Sequence, residues 1–336
     1  QSGPFQDGEL LVRNTVPATQ EVVLYRIDPV SGHGEVLIDQ IYAGFSGGGW
    51  MVYDPHRDGV LAYTARHPQW ASPRLWLARG DGTLADLGFQ GAELGGLAPV
   101  GDGRVYCVKA GVLHLLDAAN QLAPVLDAGG QPIATHARHL IYDPAQNALV
   151  GAHMGGLAGP CSQFNAITAV RYELAPDGLS ILGSTCNATD YGGSAHAIGI
   201  DRMPGGSLLV TVADGFLPND AFLRLDPVSL AITVWASPQY SDVDGGVWCQ
   251  TLGKAVLLED GQNSLHAYSQ GGDAAGTLIV TDVLAVDPFT GWSDANAMTD
   301  VDLFGPGCGG ASLAYGAGSA GTGGIAPKLG AGGCPQ

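Results

Sequence analysis

Two hairpin patterns alternate along this chain, and this alternation constrains its fold more than any other feature. Six hairpins have turns built on Asp-Pro, Asp-Gly, Pro-Asp-Gly or Gly-Gly-Asp, and they begin at Val23, Leu75, Leu113, Val170, Phe222 and Leu265. Between them lie five copies of a second hairpin, which begin at Trp50, Gly96, His139, Ala197 and Val247. Strand-like segments joined by such turns predict antiparallel hairpins.

The spacing of the second hairpin predicts a ring. Its successive copies start 43 to 58 residues apart, close to the roughly 40 to 50 residues that a four-stranded propeller blade uses. No segment sustains a helical periodicity of apolar residues. The sequence therefore predicts an all-β fold, a six-bladed β-propeller over residues 1–316, followed by a Gly-rich tail over residues 317–336.

The second hairpin lacks a sixth copy, and this absence predicts how the ring closes. Before Val23 only one strand is available, "ELLVRN" from Glu9. A ring that left this strand unpaired would expose a sheet edge, which proteins avoid. We therefore expect a strand from the C-terminal part to complete the first blade. The candidates are "DVDLFG" from Asp300 and "ASLAYG" from Ala311.

Charge and chain composition restrict the class of partner. The 32 acidic residues outnumber the 14 basic ones and give a net charge of −18. This charge repels nucleic acid and anionic membrane surfaces, and no segment approaches the roughly 18 apolar residues of a membrane span. The start at Gln1 without a Met favours a processed product. We therefore expect a secreted, extracellular protein without a nucleic-acid partner or membrane insertion.

The six cysteines fall into two groups by their positions. Two pairs each enclose roughly 25 residues, and a disulfide across such a loop contributes about 3 kcal/mol. The expected disulfides are Cys161–Cys186 and Cys308–Cys334, the second of which ties back the tail. The remaining cysteines lie in apolar strand-like segments, which predicts buried unpaired thiols; these are Cys107 and Cys249.

Polar residues precede the strands that would line one mouth of the central channel. They are Glu93, His136, Arg138, His139, Ser194, His196, Asp242 and Asp244. Imidazoles and carboxylates that converge on one axis can hold a divalent cation or supply an acid and a base. The candidate metal ligands are Glu93, His136, His139, His196, Asp242 and Asp244, and the candidate catalytic groups are His139, His196 and Asp242. Alternatively, these residues bind only channel water.

Two further motifs need a structural context. The stretch "GFSGG" around Ser46 matches G-x-S-x-G, but a strand, a turn and a strand follow it where a nucleophile elbow requires a helix. Ser46 is therefore interpreted as part of a linker between blades.

Asn187 begins a glycosylation sequon, and its position beside Cys186 predicts an exposed loop. The segment from His153 to Phe164 lengthens one blade and is interpreted as a recognition loop.

The repeats resemble those of exported six-bladed propellers, such as the NHL-like group and the gluconolactonase and paraoxonase group, over about residues 9 to 316. The lactonase resemblance implies a calcium ion in the channel, held by a Glu, Asn residues and an Asp. Glu93 and either Asp242 or Asp244 match this set, whereas histidines or serine fill the Asn positions. The tail from Gly305 resembles the Gly/Cys/Pro-rich ends of exported proteins of planctomycete-like bacteria, which implies export.

Two functions from different classes follow from these features. The first is a secreted, non-enzymatic structural or interaction propeller in an extracellular matrix or filament. Its partners are other protein chains, copies of itself among them. The alternative is a metal-dependent hydrolase, lactonase or lyase that acts at the channel mouth with one divalent cation.

Overall fold

The computed structural model describes residues 3–16, 21–42, 51–64, 74–89, 94–135, 137, 139–154, 161, 166–190, 196–213, 221–238, 243–259, 264–271, 276–281 and 294–300. These residues form six four-stranded antiparallel sheets and no helix. Consequently, no helix in this part of the chain is long and apolar enough to cross a membrane. The predicted all-β, six-bladed propeller is confirmed.

The blades follow one another along the chain. Blade 1 begins with β1 (Leu10–Val16), β2 (Glu21–Ile27) and β3 (Gly34–Tyr42). Blade 2 contains β4 (Met51–Asp54), β5 (Gly59–Thr64), β6 (Arg74–Ala78) and β7 (Leu84–Phe89). Blade 3 contains β8 (Leu94–Pro99), β9 (Val105–Lys109), β10 (Val112–Leu116) and β11 (Leu122–Pro124).

The second half of the ring repeats this order. Blade 4 contains β12 (His139–Asp143), β13 (Ala148–Met154), β14 (Ala166–Leu174) and β15 (Ile181–Asp190). Blade 5 contains β16 (His196–Arg202), β17 (Leu208–Ala213), β18 (Ala221–Leu225) and β19 (Ile232–Ala236). Blade 6 contains β20 (Val243–Cys249), β21 (Lys254–Glu259), β22 (Ser264–Tyr268) and β23 (Thr277–Thr281).

A late strand, β24 (Asp294–Asp300), closes the ring as the innermost strand of blade 1. It pairs antiparallel with β1, with Leu10 opposite Asp300 and Val12 opposite Met298. The composite first blade is therefore confirmed, but both predicted closing strands were wrong. β24 ends at Asp300, where one candidate begins. Its sequence, "DANAMTD", is rich in Ala, Asn and Asp, which are depleted in strands, so the pattern did not mark it.

Six hydrophobic cores fill the six spaces between neighbouring blades. Because successive side chains of a strand point to opposite faces, one strand supplies two of these cores. Leu10 and Val12 pack against blade 6, whereas Leu11, between them, packs against blade 2. The innermost strands of neighbouring blades also contact each other around the whole ring.

The N-terminal segment, residues 3–9, crosses the closed blade and joins its two neighbours. The amide of Gly3 donates a hydrogen bond of 3.0 Å to the carbonyl of Gly80 in blade 2. Phe5 is buried in the core between blades 1 and 2. At the other end, the Sγ of Cys249 in blade 6 lies 3.9 Å from the carbonyl oxygen of Gly8.

The cysteines that the structure describes behave as predicted. Cys161 and Cys186 form a disulfide with their Cα atoms 6.0 Å apart. Cys107 and Cys249 are buried thiols outside any disulfide, and burial raises the pKa of the Cys107 thiol to about 12. The predicted Cys308–Cys334 disulfide lies outside the described residues.

The expectation that Asn187 lies in an exposed loop was wrong. Asn187 is part of the outermost strand β15 and is half-buried. Its Nδ2 donates a hydrogen bond of 2.9 Å to the carbonyl of Leu230 in blade 5. The amide that a glycan would occupy is therefore used to hold blade 4 against blade 5.

Candidate functional site

Three of the predicted channel residues lie at the same end of neighbouring innermost strands. His139 is the first residue of β12, His196 is the first residue of β16, and Asp244 is the second residue of β20. These strands belong to blades 4, 5 and 6 and contact one another in sequence. The end of the ring at which the innermost strands begin is called the entry face. The backbone therefore brings these three positions to one mouth of the channel.

The other predicted residues of this mouth lie outside the described residues; they are Glu93, His136, Arg138, Ser194 and Asp242. His139 is half-buried and interacts with another group. Within the described ranges, no group of three or more His, Cys, Asp or Glu side chains is arranged to hold a metal ion. The metal site at the entry face therefore stays a prediction. Ser46 also lies outside these ranges, and the chain after it continues as β4.

The wall of the channel between blades 5 and 6 is tightly packed. The backbone amide of Trp248 in β20 donates a hydrogen bond of 2.6 Å to Oδ2 of Asp201 in β16. Next to this contact, a Cβ on Gly246 would lie 2.3 Å from Oγ1 of Thr211. Thr211 lies on β17, the second strand of blade 5, so β20 packs so closely on this blade that a side chain at Gly246 would force its neighbours to shift. Asp201 is engaged in holding the wall together.

On the opposite end of the ring, the exit face, charged turns connect the blades. The guanidinium of Arg57 in blade 2 pairs with the buried carboxylate of Asp54. Its Nη2 also donates to the carbonyl of Asp117, at 2.9 Å, and to Oδ1 of Asn120, at 3.1 Å, in blade 3. Such a buried cation with several acceptors fixes the relative position of two blades.

A tyrosine makes the next connection on the exit face. The hydroxyl of Tyr106 in blade 3 donates a hydrogen bond of 2.7 Å to the carbonyl of Gly178 in blade 4. Burial raises the pKa of Tyr106 to about 12. The hydroxyl therefore remains protonated near neutral pH and serves as a structural donor.

An open cleft of about 620 Å³ lies on the exit face between the N-terminal segment and the turn from β2 to β3. Its charged and titratable lining residues are Glu9, Arg26, Asp28, His33 and Glu35. The guanidinium of Arg26 is already engaged, with Oε1 of Glu9 at 2.8 Å and with the carbonyls of Gly3 and Pro4. Among the lining residues, the three carboxylates of Glu9, Asp28 and Glu35 outnumber the one guanidinium, which is already engaged.

The outer rim of the ring carries exposed aliphatic side chains on four consecutive blades. On the outermost strands of blades 1, 4, 5 and 6, the exposed fractions are 52% for Val36, 69% for Leu182, 59% for Val234 and 52% for Leu278. Contiguous exposed apolar surface is typical of interaction sites, whereas single exposed apolar residues are common on any protein. This group of four residues is called the aliphatic rim.

A one-residue bulge lies beside or at each of these positions. Val36, Val234 and Leu278 are each followed by an extra residue on the outer strand, and Leu182 is itself the extra residue. Bulges at sheet edges redirect side chains and twist the edge strand. The bulges therefore turn residues of an aliphatic strand toward solvent. Sequence reasoning missed this surface, because the hairpin pattern predicts the strands and says nothing of where a bulge falls.

Blades 2 and 3 lack the aliphatic rim. The position in blade 2 that corresponds to Val36 and Val234 is Asp86, which forms an ion pair with Arg74. In blade 3 the corresponding residue is Pro124, in a strand of only three residues. Charges, prolines and short strands are features that protect a sheet edge from association. The ring is therefore asymmetric: two blades have protected edges and four have apolar ones.

Comparison with known proteins supports the fold alone. No protein-family model and no curated protein matches the chain. A chain in a crystal structure of a nidogen/laminin complex superposes with a TM-score of 0.59 at 12% identity, covering 88% of this chain and 98% of that one. TolB from Acinetobacter baumannii gives a TM-score of 0.52 at 12% identity, covering 82% of this chain and 63% of that one. The chain therefore belongs to the fold class of six-bladed β-propellers.

Proposed function

We propose that this chain is an exported, non-enzymatic interaction propeller that binds other protein chains through its aliphatic rim. The observation that carries the proposal is the difference between the blades. Four consecutive blades expose an aliphatic side chain on the outermost strand, whereas the two remaining blades have Asp86 or Pro124 at the corresponding position. If the rim had no partner, we would expect the outermost strands of all six blades to have protective residues such as Asp86 and Pro124.

The physical basis of the interaction is the burial of these side chains. Complete burial of a Val or Leu side chain is worth about 1.5–3 kcal/mol, and each rim residue exposes half or more of its surface. The connections across the blades hold the rim residues on a rigid ring, so little conformational entropy is lost on binding. The Cys161–Cys186 disulfide supports export, because disulfides persist in oxidising compartments.

A binding experiment with a rim variant tests this proposal. The chain is immobilised and exposed to the extracellular proteins of its source. Each retained protein is then purified and titrated against the wild type and against a variant with serine at Val36, Leu182, Val234 and Leu278. We expect saturable binding that the variant weakens at least tenfold, a loss of about 1.4 kcal/mol. A partner that binds both forms equally, or the absence of any saturable partner, would contradict the proposal.

The alternative function is a metal-dependent hydrolase, lactonase or lyase at the entry face. It is favoured by the position of His139, His196 and Asp244 at the start of neighbouring innermost strands. Imidazole and carboxylate groups are suitable ligands for a divalent cation. Elemental analysis of the purified chain, repeated for the double variant His139→Ala and His196→Ala, tests it. A stoichiometric metal that the double variant loses would establish this site.

A further inference from the structure

Three of the outer hairpins share a turn sequence that the other three lack. The turn before the outermost strand reads Asp-Pro-Val-Ser from Asp28 in blade 1 and from Asp226 in blade 5, and Asp-Gly-Leu-Ser from Asp177 in blade 4. The corresponding turns read Asp-Gly-Thr from Asp81 in blade 2 and Asp-Ala-Ala from Asp117 in blade 3, and blade 6 has Gly-Gly-Asp. Blades 1, 4 and 5 also carry the aliphatic rim, so the two features occur together.

Each of these three turns exposes an aliphatic side chain beside a carboxylate. The exposed fractions are 70% for Val30, 44% for Leu179 and 55% for Val228. In all three turns, the backbone amide of this residue donates a hydrogen bond of 2.9 Å to Oδ1 of the Asp two positions before it. In blades 2 and 3 the same bond comes from Thr83 and Ala119, which present no large apolar side chain.

A residue of the aliphatic rim follows each of these turns on the same hairpin. In blades 1 and 5 the spacing is identical, because the rim residue lies six positions after the exposed valine of the turn. In blade 4 it lies three positions after the exposed leucine. The carboxylate and the two aliphatic residues of one hairpin are called a turn unit. The three turn units are Asp28 with Val30 and Val36, Asp177 with Leu179 and Leu182, and Asp226 with Val228 and Val234.

The carboxylates of the turn units are exposed and carry negative charge. Hydrogen bonds within the turn lower the pKa of Asp28 and of Asp226 from the ordinary value of 3.8, so both are ionised near neutral pH. His33 and Arg224 are the cations that act on them. In the part of the chain that the structure describes, none of the three carboxylates forms an ion pair. Each turn unit therefore combines aliphatic surface with an unpaired negative charge.

We infer that the turn units bind a protein chain in which aliphatic side chains lie beside lysine or arginine. This inference rests on the proposed function and specifies the chemistry of the partner. The aliphatic side chains of the partner pack on those of the unit, and its cation pairs with the carboxylate. An ionised carboxylate has about four acceptor positions, so the bonds within the turn leave room for this cation.

Charge complementarity favours this partner over an acidic one. The net charge of −18 attracts a basic chain and repels an acidic one. The turns are also held in place before binding: the amides of Gly32 and Leu230 donate equivalent hydrogen bonds of 2.9 Å to the carbonyls of Asp28 and Asp226. Three such units on one ring allow a partner with repeated basic and aliphatic segments to bind with avidity.

An NMR titration of the full chain with a synthetic peptide tests this inference. The probe is a short peptide that alternates leucine and lysine, and the matched probe has glutamate in place of lysine. Backbone amide shifts report binding at each turn separately. The test variant replaces the three Asp residues of the turn units with Asn: Asp28→Asn, Asp177→Asn and Asp226→Asn.

The control variant removes three carboxylates from turns outside the turn units: Asp81→Asn, Asp117→Asn and Asp127→Asn. Each of these carboxylates also accepts a backbone amide of its own turn. Asparagine keeps an oxygen that accepts this bond, so we expect both triple variants to fold, which unchanged amide shifts elsewhere verify. Both variants lose three negative charges, so they differ only in where the charge is lost.

We expect the leucine–lysine peptide to shift the amides of the three turn units saturably and those of the Asp81 and Asp117 turns much less. The dissociation constant should rise at least about fivefold in the test variant and less than about twofold in the control variant. A second test variant gives the turns the threonine of blade 2, through Val30→Thr, Leu179→Thr and Val228→Thr, and it should also weaken binding. The glutamate peptide should not bind.

Equal shifts at all five turns, equal weakening by both Asn variants, or the absence of saturable shifts would overturn the inference. These results leave the proposed function distinguishable. A partner whose binding depends on the rim residues and not on the three Asp residues would leave the proposed function intact, and only the role of the turn units would be refuted.

Discussion

Replacement of Gly246 by alanine is the perturbation that most sharply tests the packing between blades 5 and 6. Gly246 lies on the innermost strand β20 and faces two fully buried side chains of blade 5, Thr211 and Phe222. A Cβ at this position would lie 2.3 Å from Oγ1 of Thr211, 2.9 Å from its Cγ2 and 2.9 Å from Cε1 of Phe222. All three distances are shorter than an ordinary van der Waals contact.

The expected loss in the free energy of unfolding follows from the limited freedom of the Thr211 and Phe222 side chains to move away. Thr211 is β-branched and buried, so it has few alternative rotamers, and the ring of Phe222 is held by Trp235 at 6.0 Å and Tyr268 at 5.5 Å. Overpacking of one methyl group in such a core costs about 1–3 kcal/mol. We therefore expect Gly246→Ala to lower the free energy of unfolding by that amount.

Urea unfolding followed by tryptophan fluorescence measures this loss. The control is Gly183→Ala in β15, where the nearest atom to the new Cβ is Oε2 of Glu173 at 3.8 Å. This control should be neutral or up to about 1 kcal/mol more stable, because alanine restricts the unfolded chain. Adding Thr211→Ala to Gly246→Ala removes two of the three close atoms, so the double variant should recover part of the loss. A Gly246→Ala variant as stable as the wild type would refute the reasoning.

Three further predictions concern the connections of the ring. Arg26→Ala leaves the poorly solvated carboxylate of Glu9 without its guanidinium, so it should lower the free energy of unfolding in urea by about 3 kcal/mol. Arg26→Lys keeps the charge but loses the planar fork that also binds two carbonyls, so it should restore only part of this loss. Removal of the Cys161–Cys186 disulfide, which joins residues 25 apart, should cost about 3 kcal/mol. Thiol reductant should therefore destabilise the wild type more than the double serine variant, in which only the predicted Cys308–Cys334 disulfide can still be reduced. Hydrogen bonds from backbone amides lower the pKa of Asp226 from its ordinary value of 3.8. The stabilising contribution of this carboxylate is therefore complete above pH 3.8 and is lost as the pH falls through the folded-state pKa. A pKa of 3.8 or higher for Asp226 in an NMR titration would contradict this.

The six-bladed architecture could be predicted from the sequence because the turn residues and the strand-like segments of each hairpin are local sequence signals. Turns such as Asp28-Pro29 and Asp226-Pro227 lie between strands, as the pattern indicates, and the composite first blade follows from the need to pair the strand that begins at Leu10. The identity of the closing strand could not be predicted. The segment from Asp294 to Asp300 has few apolar residues, and it forms a strand because β1 offers it a partner.

The aliphatic rim could not be predicted for a different reason. Along β19, Val234 is exposed and Trp235 is buried, although both are apolar neighbours in the same strand. A one-residue bulge decides which of them faces solvent, and bulges of this kind have no dependable sequence signal. The predicted metal ligands at the entry face remain predictions: the structure places the backbone of His139, His196 and Asp244 at one mouth.

Hydrogen–deuterium exchange of the chain, free and bound to a protein partner, tests most directly whether binding occurs on the rim or at the channel mouth. We expect binding to slow exchange in the outermost strands β3 (Gly34–Tyr42), β15 (Ile181–Asp190), β19 (Ile232–Ala236) and β23 (Thr277–Thr281), because their amides become shielded from water. Exchange at the starts of β12 and β16, where His139 and His196 lie, should not change. Slower exchange at those two starts, with β19 and β23 unaffected, would contradict the rim as the interaction surface.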